Sequence, residues 1–529
     1  MNKIFVAQVI LLSLFFVLGI FSVQEISTTY DEAFHYSYGI QMMHGNTERT
    51  GIFGDSNMPF LAFNALPGRI AELFLPEGSL RHFLTNFTVA RYVTIVFSVL
   101  IAMLIFHWSR SLYGLAPAFA SLLLYIFDPN IIAHSQLVTT DIYVAGTTTL
   151  VFYCLWRFAH NRNLINGLLS ALALGISQLA KYSTIVLFPL AMSSIFLYDL
   201  PLGGIKKIKQ LIVRYVGYFF VGLVAITLIL NLGFFFNHTF TPFGRYKFRS
   251  DWFRVLKTNY PLLRSIPVPF PYPYLDGLDW MLNTEQGGKN SGTVYLLGKL
   301  SKQGFPGYYF IASFFKVPIS TQIIILIAIA LYIVRPNRRK NFLRDEIFLF
   351  VPITFFSVYF NFFFKTQIGI RYYLIIFPML YVFSGSLFSN WKEFLPVQKV
   401  FSFTLLAYLV ISVLSYYPYY LTYFNELVWN RINAYKYLAD SNLDWGQSSV
   451  ATMQYLKNHP NAVFEPQQAQ AGTIVIGVNN LVGVTDDPSK YAWLRENFDP
   501  VGTINNSVLI YKISPEEINV LCSSTQYCK

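Results

Sequence analysis

Long apolar runs broken by short polar stretches dominate the chain. Runs of roughly 15 to 25 largely uncharged residues recur about eleven times, a length suited to helices crossing ~30 Å of hydrocarbon at ~1.5 Å per residue. They lie near 4–23, 89–108, 114–128, 138–157, 164–180, 182–198, 212–233, 308–334, 346–364, 372–388 and 400–417. The first follows a single Lys and has no small-residue cleavage site after it, so it reads as a span and not as a signal peptide. Three polar segments interrupt the pattern: 24–88, 234–307 and everything after about 418. The second holds Pro267-Val-Pro-Phe-Pro-Tyr-Pro-Tyr274, which predicts irregular loop with short helices. The third contains two β-like runs, Gly472-Thr-Ile-Val-Ile-Gly-Val478 and Ser507-Val-Leu-Ile-Tyr511. The predicted architecture is therefore an all-α polytopic membrane protein of about eleven transmembrane helices over 1–417, with loops 24–88 and 234–307 on one face. A small C-terminal α/β domain over 418–529 follows on that same face.

Composition supports this reading. Charged residues make up 12% of the chain, hydrophobic residues 54% and aromatic residues 18%, with a mean hydropathy of +0.44. A soluble domain carries about 25% charged residues, so a soluble enzyme is excluded, and disorder needs the opposite balance. The net charge of +12 would suggest nucleic acid in a soluble protein, but its distribution reads as topology. With the N-terminus in the cytoplasm, the cytoplasmic loops hold Lys3, Arg110, Arg157, Arg162, Lys206, Lys207, Lys209, Arg214, Arg335, Arg338, Arg339, Lys340, Arg344, Lys392 and Lys399. The short loops opposite hold only Lys181, Lys365 and Arg371. The expected setting is the plasma (inner) membrane, multi-pass, with an extracytoplasmic C-terminus and no nucleic-acid partner. Of the three cysteines, Cys154 falls in an apolar run, and Cys522 and Cys528 are close enough for a local disulfide.

In a chain that excludes charge, ionisable groups at the membrane edge are functional candidates. Thr28-Thr-Tyr-Asp-Glu-Ala-Phe-His35 follows the first span and puts His35 on the helical face of Asp31, with Glu32 beside them. A helix cap at Thr29 or Asp31 would explain the acids but not the His. The stretch between the third and fourth spans carries His134 and Asp141; Asp141 could instead serve only the helix dipole. Lys181 and Arg371 head two spans on the face where positive charge is disfavoured. Either could snorkel to lipid head groups, yet together they offer the cations that a lipid phosphate requires. A carboxylate can act as general base on a hydroxyl, and fixed cations can stabilise a leaving phosphate. No Walker A motif, Gly-rich phosphate loop or Ser nucleophile elbow is present in the sequence.

At these residues the sequence resembles the GT-C superfamily of polyprenyl-phosphate-sugar-dependent glycosyltransferases, on its protein O-mannosyltransferase and aminoarabinose-transferase-like branch. The resemblance rests on Tyr30-Asp-Glu-Ala-Phe-His35, Ala133-His-Ser-Gln-Leu-Val-Thr-Thr-Asp141, Leu179-Ala-Lys-Tyr-Ser183, Tyr295-Leu-Leu-Gly298 with Lys316-Val-Pro318, and Ile368-Gly-Ile-Arg-Tyr-Tyr373 with Pro378. Tyr423-Phe-Asn-Glu426 and Tyr437-Leu-Ala-Asp-Ser-Asn-Leu-Asp-Trp-Gly-Gln447 look like bacterial members. The likeness runs from residue 24 to about 512. It implies a GT-C fold and an inverting transferase that moves a monosaccharide from an undecaprenyl- or dolichyl-phosphate donor to an acceptor hydroxyl on the extracytoplasmic face. It also implies that Asp31 is the catalytic base, with Glu32 positioning the acceptor or sharing that role. Lys181 and Arg371 would bind the donor phosphate, and His35, His134 and Asp141 would line the active site. It assigns no role to Asp440-Ser-Asn-Leu-Asp444.

Two positions depart from the family pattern. Asn57-Met-Pro59 stands where relatives often have His-Pro-Pro, and Gly292 where many bacterial relatives have a His. The acceptor is left open among protein Ser/Thr, lipid and glycan; Asn-x-Ser/Thr sequences occur at Asn86, Asn237 and Asn505. The alternative function is a transporter or flippase of lipid-linked sugars, for which charge should line a path near the midplane. A divalent metal on Asp31, His35, His44 or His134 is a further alternative without a clear ligand motif.

Overall fold

Each of the eleven predicted apolar runs corresponds to helix in the computed structural model, which describes residues 3–48, 56–200, 205–287 and 292–524. Seven helices among the described residues are long and apolar enough to cross a membrane. The pair Leu115–Ile126 and Pro129–Ser135 is long and apolar enough to make an eighth span if counted together, and is bent by 62° where Asp128 caps the second helix and Pro129 fixes its first turn. Three shorter apolar helices, Leu164–Gln178, Ile319–Val334 and Ile347–Phe362, complete the set. Leu164–Gln178 must count as a crossing, because otherwise Lys181 would emerge on the opposite face from Asp141, and the two are in contact.

The predicted 308–334 span is not one helix. It breaks into Tyr308–Lys316 and Ile319–Val334 because Val317, preceding Pro318, takes an extended conformation (φ −96°, ψ 135°). Burial separates core helices from lipid-facing ones. Asp141–His160 and Ile370–Phe388 are 78% and 89% buried over their apolar windows, against 11% for Lys3–Glu25 and 28% for Pro396–Leu414. Gly146 makes the first of these close-packed, since a Cβ there would lie 2.5 Å from Ile101 and 2.8 Å from Phe97 on the neighbouring helix. The two most buried spans thus begin at or beside Asp141 and Arg371, which places both charges on rigid elements.

The Pro-rich segment folds as expected into short helices, of which Tyr272–Gly287 is the longest, and a hairpin of β1 (Val294–Leu296) and β2 (Lys299–Ser301). This hairpin also pairs with the C-terminal part, where Leu297 N–H donates to Tyr437 O at 2.9 Å. Beyond it, β3 (Ala462–Phe464), β4 (Gly472–Gly477), β5 (Gly502–Ile504) and β6 (Val508–Ile513) form a sheet in the order β3-β4-β6-β5. Its β3/β4 pair is parallel and the others antiparallel. Both predicted β-like runs are its central strands. Cys522 is disulfide-bonded, and its expected partner Cys528 lies outside the described residues.

Candidate active site

The first polar loop turns sharply after Glu25, and helix Glu32–Met43 begins at Asp31. Asp31 makes no capping bond with its side chain. Its Oδ2 instead accepts from Arg371 Nη1 at 2.8 Å, 340 residues away in sequence, and both side chains are nearly buried. Glu32 is fully buried and does something else. Its Oε1 accepts from Arg91 Nε (2.8 Å) and Val138 N–H (2.9 Å), and its Oε2 from Arg91 Nη2 (2.5 Å), Thr29 N–H (2.8 Å) and Thr29 Oγ1 (3.0 Å). Five donors saturate the roughly four lone-pair positions of a carboxylate, so Glu32 has no oxygen left for a substrate. It ties the loop to the spans that start near Arg91 and Asp141.

The cations are held by aromatic faces as well as carboxylates. Lys181 Nζ donates to Asp141 Oδ1 at 3.4 Å and lies 4.1 Å from the centre of the Tyr372 ring. The Arg371 guanidinium carbon lies 4.1 Å from the Trp445 ring centre and 5.2 Å from that of Tyr372. Such stacking holds the planar fork of an Arg without using its hydrogen-bond donors.

These groups line one cavity of about 1140 Å³ at a single end of the helix bundle. Its membrane-side wall carries Asp31, His35, Asp141, Lys181 and Arg371; its other wall comes from the C-terminal part, with Asp440, Asp444, Trp445 and Glu465. Burial pushes the carboxyls of Asp440 and Asp444 up to about 6, with Arg371 pulling Asp440 back down. Burial lowers the His35 imidazole from its ordinary value, against the raising pull of Asp31 and Asp141, so His35 is neutral at pH 7. A narrower hollow of about 110 Å³ adjoins the cavity at Lys181 and Arg371 and runs between apolar side chains including Val144, Phe360, Phe364 and Ile375. Among the described residues, no group of three or more His, Cys, Asp or Glu is arranged to hold a metal ion.

The structure therefore gathers five of the seven candidate residues around the cavity. Glu32 and His134 do not line it: Glu32 is saturated behind Asp31, and His134 is buried with its ring 5.9 Å from that of Trp445. Sequence reasoning missed Arg91, although a lone Arg inside a predicted span is itself an anomaly. It also gave no role to Asp440, Asp444 and Trp445, whose soluble-looking surroundings hide them among ordinary surface charges.

Residues 74–232, which include Asp141 and Lys181, match a family model described as dolichyl-phosphate-mannose-protein mannosyltransferase. Among solved structures, the chain is similar to the apo form of the Archaeoglobus fulgidus oligosaccharyltransferase at 11% identity and a TM-score of 0.45. That similarity covers 77% of this chain and 54% of the other, so the chain spans about half the length of that enzyme. It is also similar to ArnT from Cupriavidus metallidurans, bound to undecaprenyl phosphate (TM-score 0.29) and in the apo state (TM-score 0.31). Both ArnT comparisons have 12% identity and cover 95% of this chain and 97% of the other. None of the curated proteins matches the chain in sequence. The family match covers residues 74–232 alone, the stretch that holds the motifs at Asp141 and Lys181, while Asp31 and Arg371 lie outside it.

Proposed function

We propose that the protein is an inverting glycosyltransferase that moves a monosaccharide from a polyprenyl-phosphate donor to an acceptor hydroxyl on the extracytoplasmic face of the plasma (inner) membrane. One observation carries this reading: the Asp31 carboxylate and the Arg371 and Lys181 cations line a single cavity at the end of the membrane helices. The description of the matching family, with its lipid-phosphate mannose donor, supports the same substrate class.

The donor phosphate enters beside Lys181 and Arg371, and its lipid chain follows the apolar hollow past Phe360 and Phe364. Asp31 takes the proton of the acceptor hydroxyl, and the oxygen attacks the anomeric carbon from the side opposite the phosphate. The bond from that carbon to the phosphate oxygen breaks, and the lipid phosphate leaves with the electron pair and inverted configuration results. Lys181 and Arg371 neutralise the charge that develops on the leaving group. The phosphate is a good leaving group, so no general acid is required, and neutral His35 adds no competing cation beside Asp31. Before the donor arrives, Asp31 is the partner of Arg371; donor binding engages the guanidinium and leaves the carboxylate to the acceptor. Asp141 holds Lys181 in place, Glu32 fixes the loop that carries Asp31, and residues 418–529 supply the second wall as a separate domain.

The charged groups from Asp31, Asp141, Lys181 and Arg371 cluster at one end of the bundle, an arrangement suited to chemistry on one face and not to a transport path through the midplane. The test is mass analysis of cell-surface glycans and lipids from cells expressing the wild type or Asp31→Asn. A product present with the wild type and lost with a stably folded Asp31→Asn is expected. Full transfer by Asp31→Asn would overturn the mechanism.

A further inference from the structure

The segment Asp440-Ser-Asn-Leu-Asp-Trp-Gly-Gln447 bonds to both of the loops that carry the reacting charges. On one side it grips the turn that presents Arg371. Asn442 is fully buried; its Oδ1 accepts from Ile370 N–H at 2.9 Å, and Ser441 Oγ donates to Ile368 O at 2.9 Å. Between them Gly369 has φ +70°, and a Cβ there would collide with Ser441 Oγ, so the two backbones meet only because that residue is glycine. On the other side the segment grips the loop that presents Asp31. Tyr30 N–H donates to Trp445 O at 3.0 Å and Ser27 N–H to Gln447 O at 2.8 Å. Trp445 meanwhile lays its ring against the Arg371 guanidinium.

The segment is itself anchored in the bundle. Buried Lys316 donates to Asn442 O at 2.6 Å and to Leu421 O at 2.7 Å, while Asn442 Nδ2 donates to the Tyr308 hydroxyl at 2.9 Å. A surface loop that merely closed the C-terminal part would need one such attachment. Here three residues of backbone, about 10 Å at full extension, separate the side chain that fixes Ile370 from the carbonyl that fixes Tyr30.

We propose that Asp440–Gln447 is a positioning element that sets the distance between Asp31 and Arg371, with Asn442 as its anchor. The proposal rests on the reading of Arg371 as a donor-phosphate ligand for its kinetic consequence, but not for its structural one. Removing the Asn442 carbonyl oxygen frees the Arg371 turn, and the same loss loosens the Asp31 loop through Trp445.

The test is hydrogen–deuterium exchange on the purified full-length protein in detergent, comparing wild type, Asn442→Ala, Asn442→Asp and the milder Ser441→Ala. Asn442→Ala is expected to speed exchange at least tenfold in both 26–32 and 367–372. Asn442→Asp keeps an oxygen for Ile370 N–H and restores protection, and Ser441→Ala gives a smaller change in the same two regions. Should Asn442→Ala not fold, Ser441→Ala decides. Faster exchange confined to 367–372, or none, would overturn the positioning role. In transfer assays with undecaprenyl-phosphate sugar, Asn442→Ala is expected to raise the donor KM at least tenfold and to lower kcat with it, because the loosened loop carries Asp31. A merely structural defect would lower the active fraction and leave KM unmoved, which would count against the proposal. If the variants show the exchange pattern but the wild type gives no transfer, the enzymatic reading fails and the positioning element stands. If it transfers sugar while Asn442→Ala and Ser441→Ala leave exchange and KM unchanged, the reverse holds.

Discussion

The buried pair Glu32–Arg91 separates a structural carboxylate from the proposed catalytic one. Both side chains are almost wholly removed from solvent, and Arg91 supplies two of the five bonds that Glu32 accepts. Arg91→Met keeps about the volume of the side chain but deletes both bonds to Glu32, together with the bonds to the Ile26 and Ser27 carbonyls, and leaves a carboxylate buried with three neutral donors. Two charge-assisted bonds at roughly 1.5–3 kcal/mol each, and the ~3–5 kcal/mol cost of stranding one member of a buried pair, describe the same loss from two directions. About 4 kcal/mol is the expected destabilisation. The double variant Glu32→Gln/Arg91→Met carries no buried charge and keeps an amide oxygen for Val138 N–H, so it should recover most of that loss, a coupling of about 3 kcal/mol. Thermal unfolding of the detergent-solubilised protein, followed by tryptophan fluorescence, gives the four corners of the cycle. The double variant should also regain transfer to within about tenfold, because Asp31 and Arg371 are untouched. Single and double variants of equal stability would refute the pairing argument. A double variant as stable as the wild type but inactive would show that Glu32 takes part in the chemistry.

Lys181→Ala should raise the donor KM by at least tenfold, with a smaller effect on acceptor KM, since it removes one of the two cations proposed to bind the donor phosphate; equal effects on both would argue against a phosphate role. Asp440 and Asp444 should make stability depend on pH. Their native carboxyls hold protons up to about 6 while the unfolded chain releases them near 3.8, so stability falls as pH rises through that window, by at most about 3 kcal/mol for each. The variant Asp440→Asn/Asp444→Asn should flatten this slope and melt higher than the wild type at pH 7. Gly146→Val should destabilise by about 1–3 kcal/mol through the clash with Ile101 and Phe97, read by the same unfolding assay, while Gly217→Ala, which meets nothing within 4 Å, should be neutral.

The helices were legible because a membrane demands long apolar runs, and each of the eleven runs became helix. Breaks inside a run were less legible. Pro318 was visible, but a proline in a span can kink a helix or end it, and only packing against Leu421 and Asn442 decides the place of Lys316. Asp31, Asp141, Lys181 and Arg371 stood out because charge is scarce where they lie. The same scarcity argument could not tell Glu32 from Asp31, because the two look alike in sequence and differ in their neighbours, Arg91 and the Val138 amide for Glu32, neither of them near it along the chain. Asp440 and Asp444 were hidden for the opposite reason. In a segment of soluble composition two aspartates carry no signal until the fold sets them across a cavity from Arg371.

The cavity draws its walls from positions as far apart as Asp31 and Asp444. A chain still being inserted therefore has Asp31 early in its synthesis, on a loop tied by Glu32 to Arg91 and Val138, but lacks the second clamp on that loop, since Ser27 and Tyr30 wait for backbone acceptors beyond residue 440. The cavity is complete only when the segment around residues 440–447 has docked. On the proposed function, a truncated chain, however well its helices are inserted, is silent, and the order of biosynthesis itself keeps an unfinished molecule from consuming lipid-linked sugar.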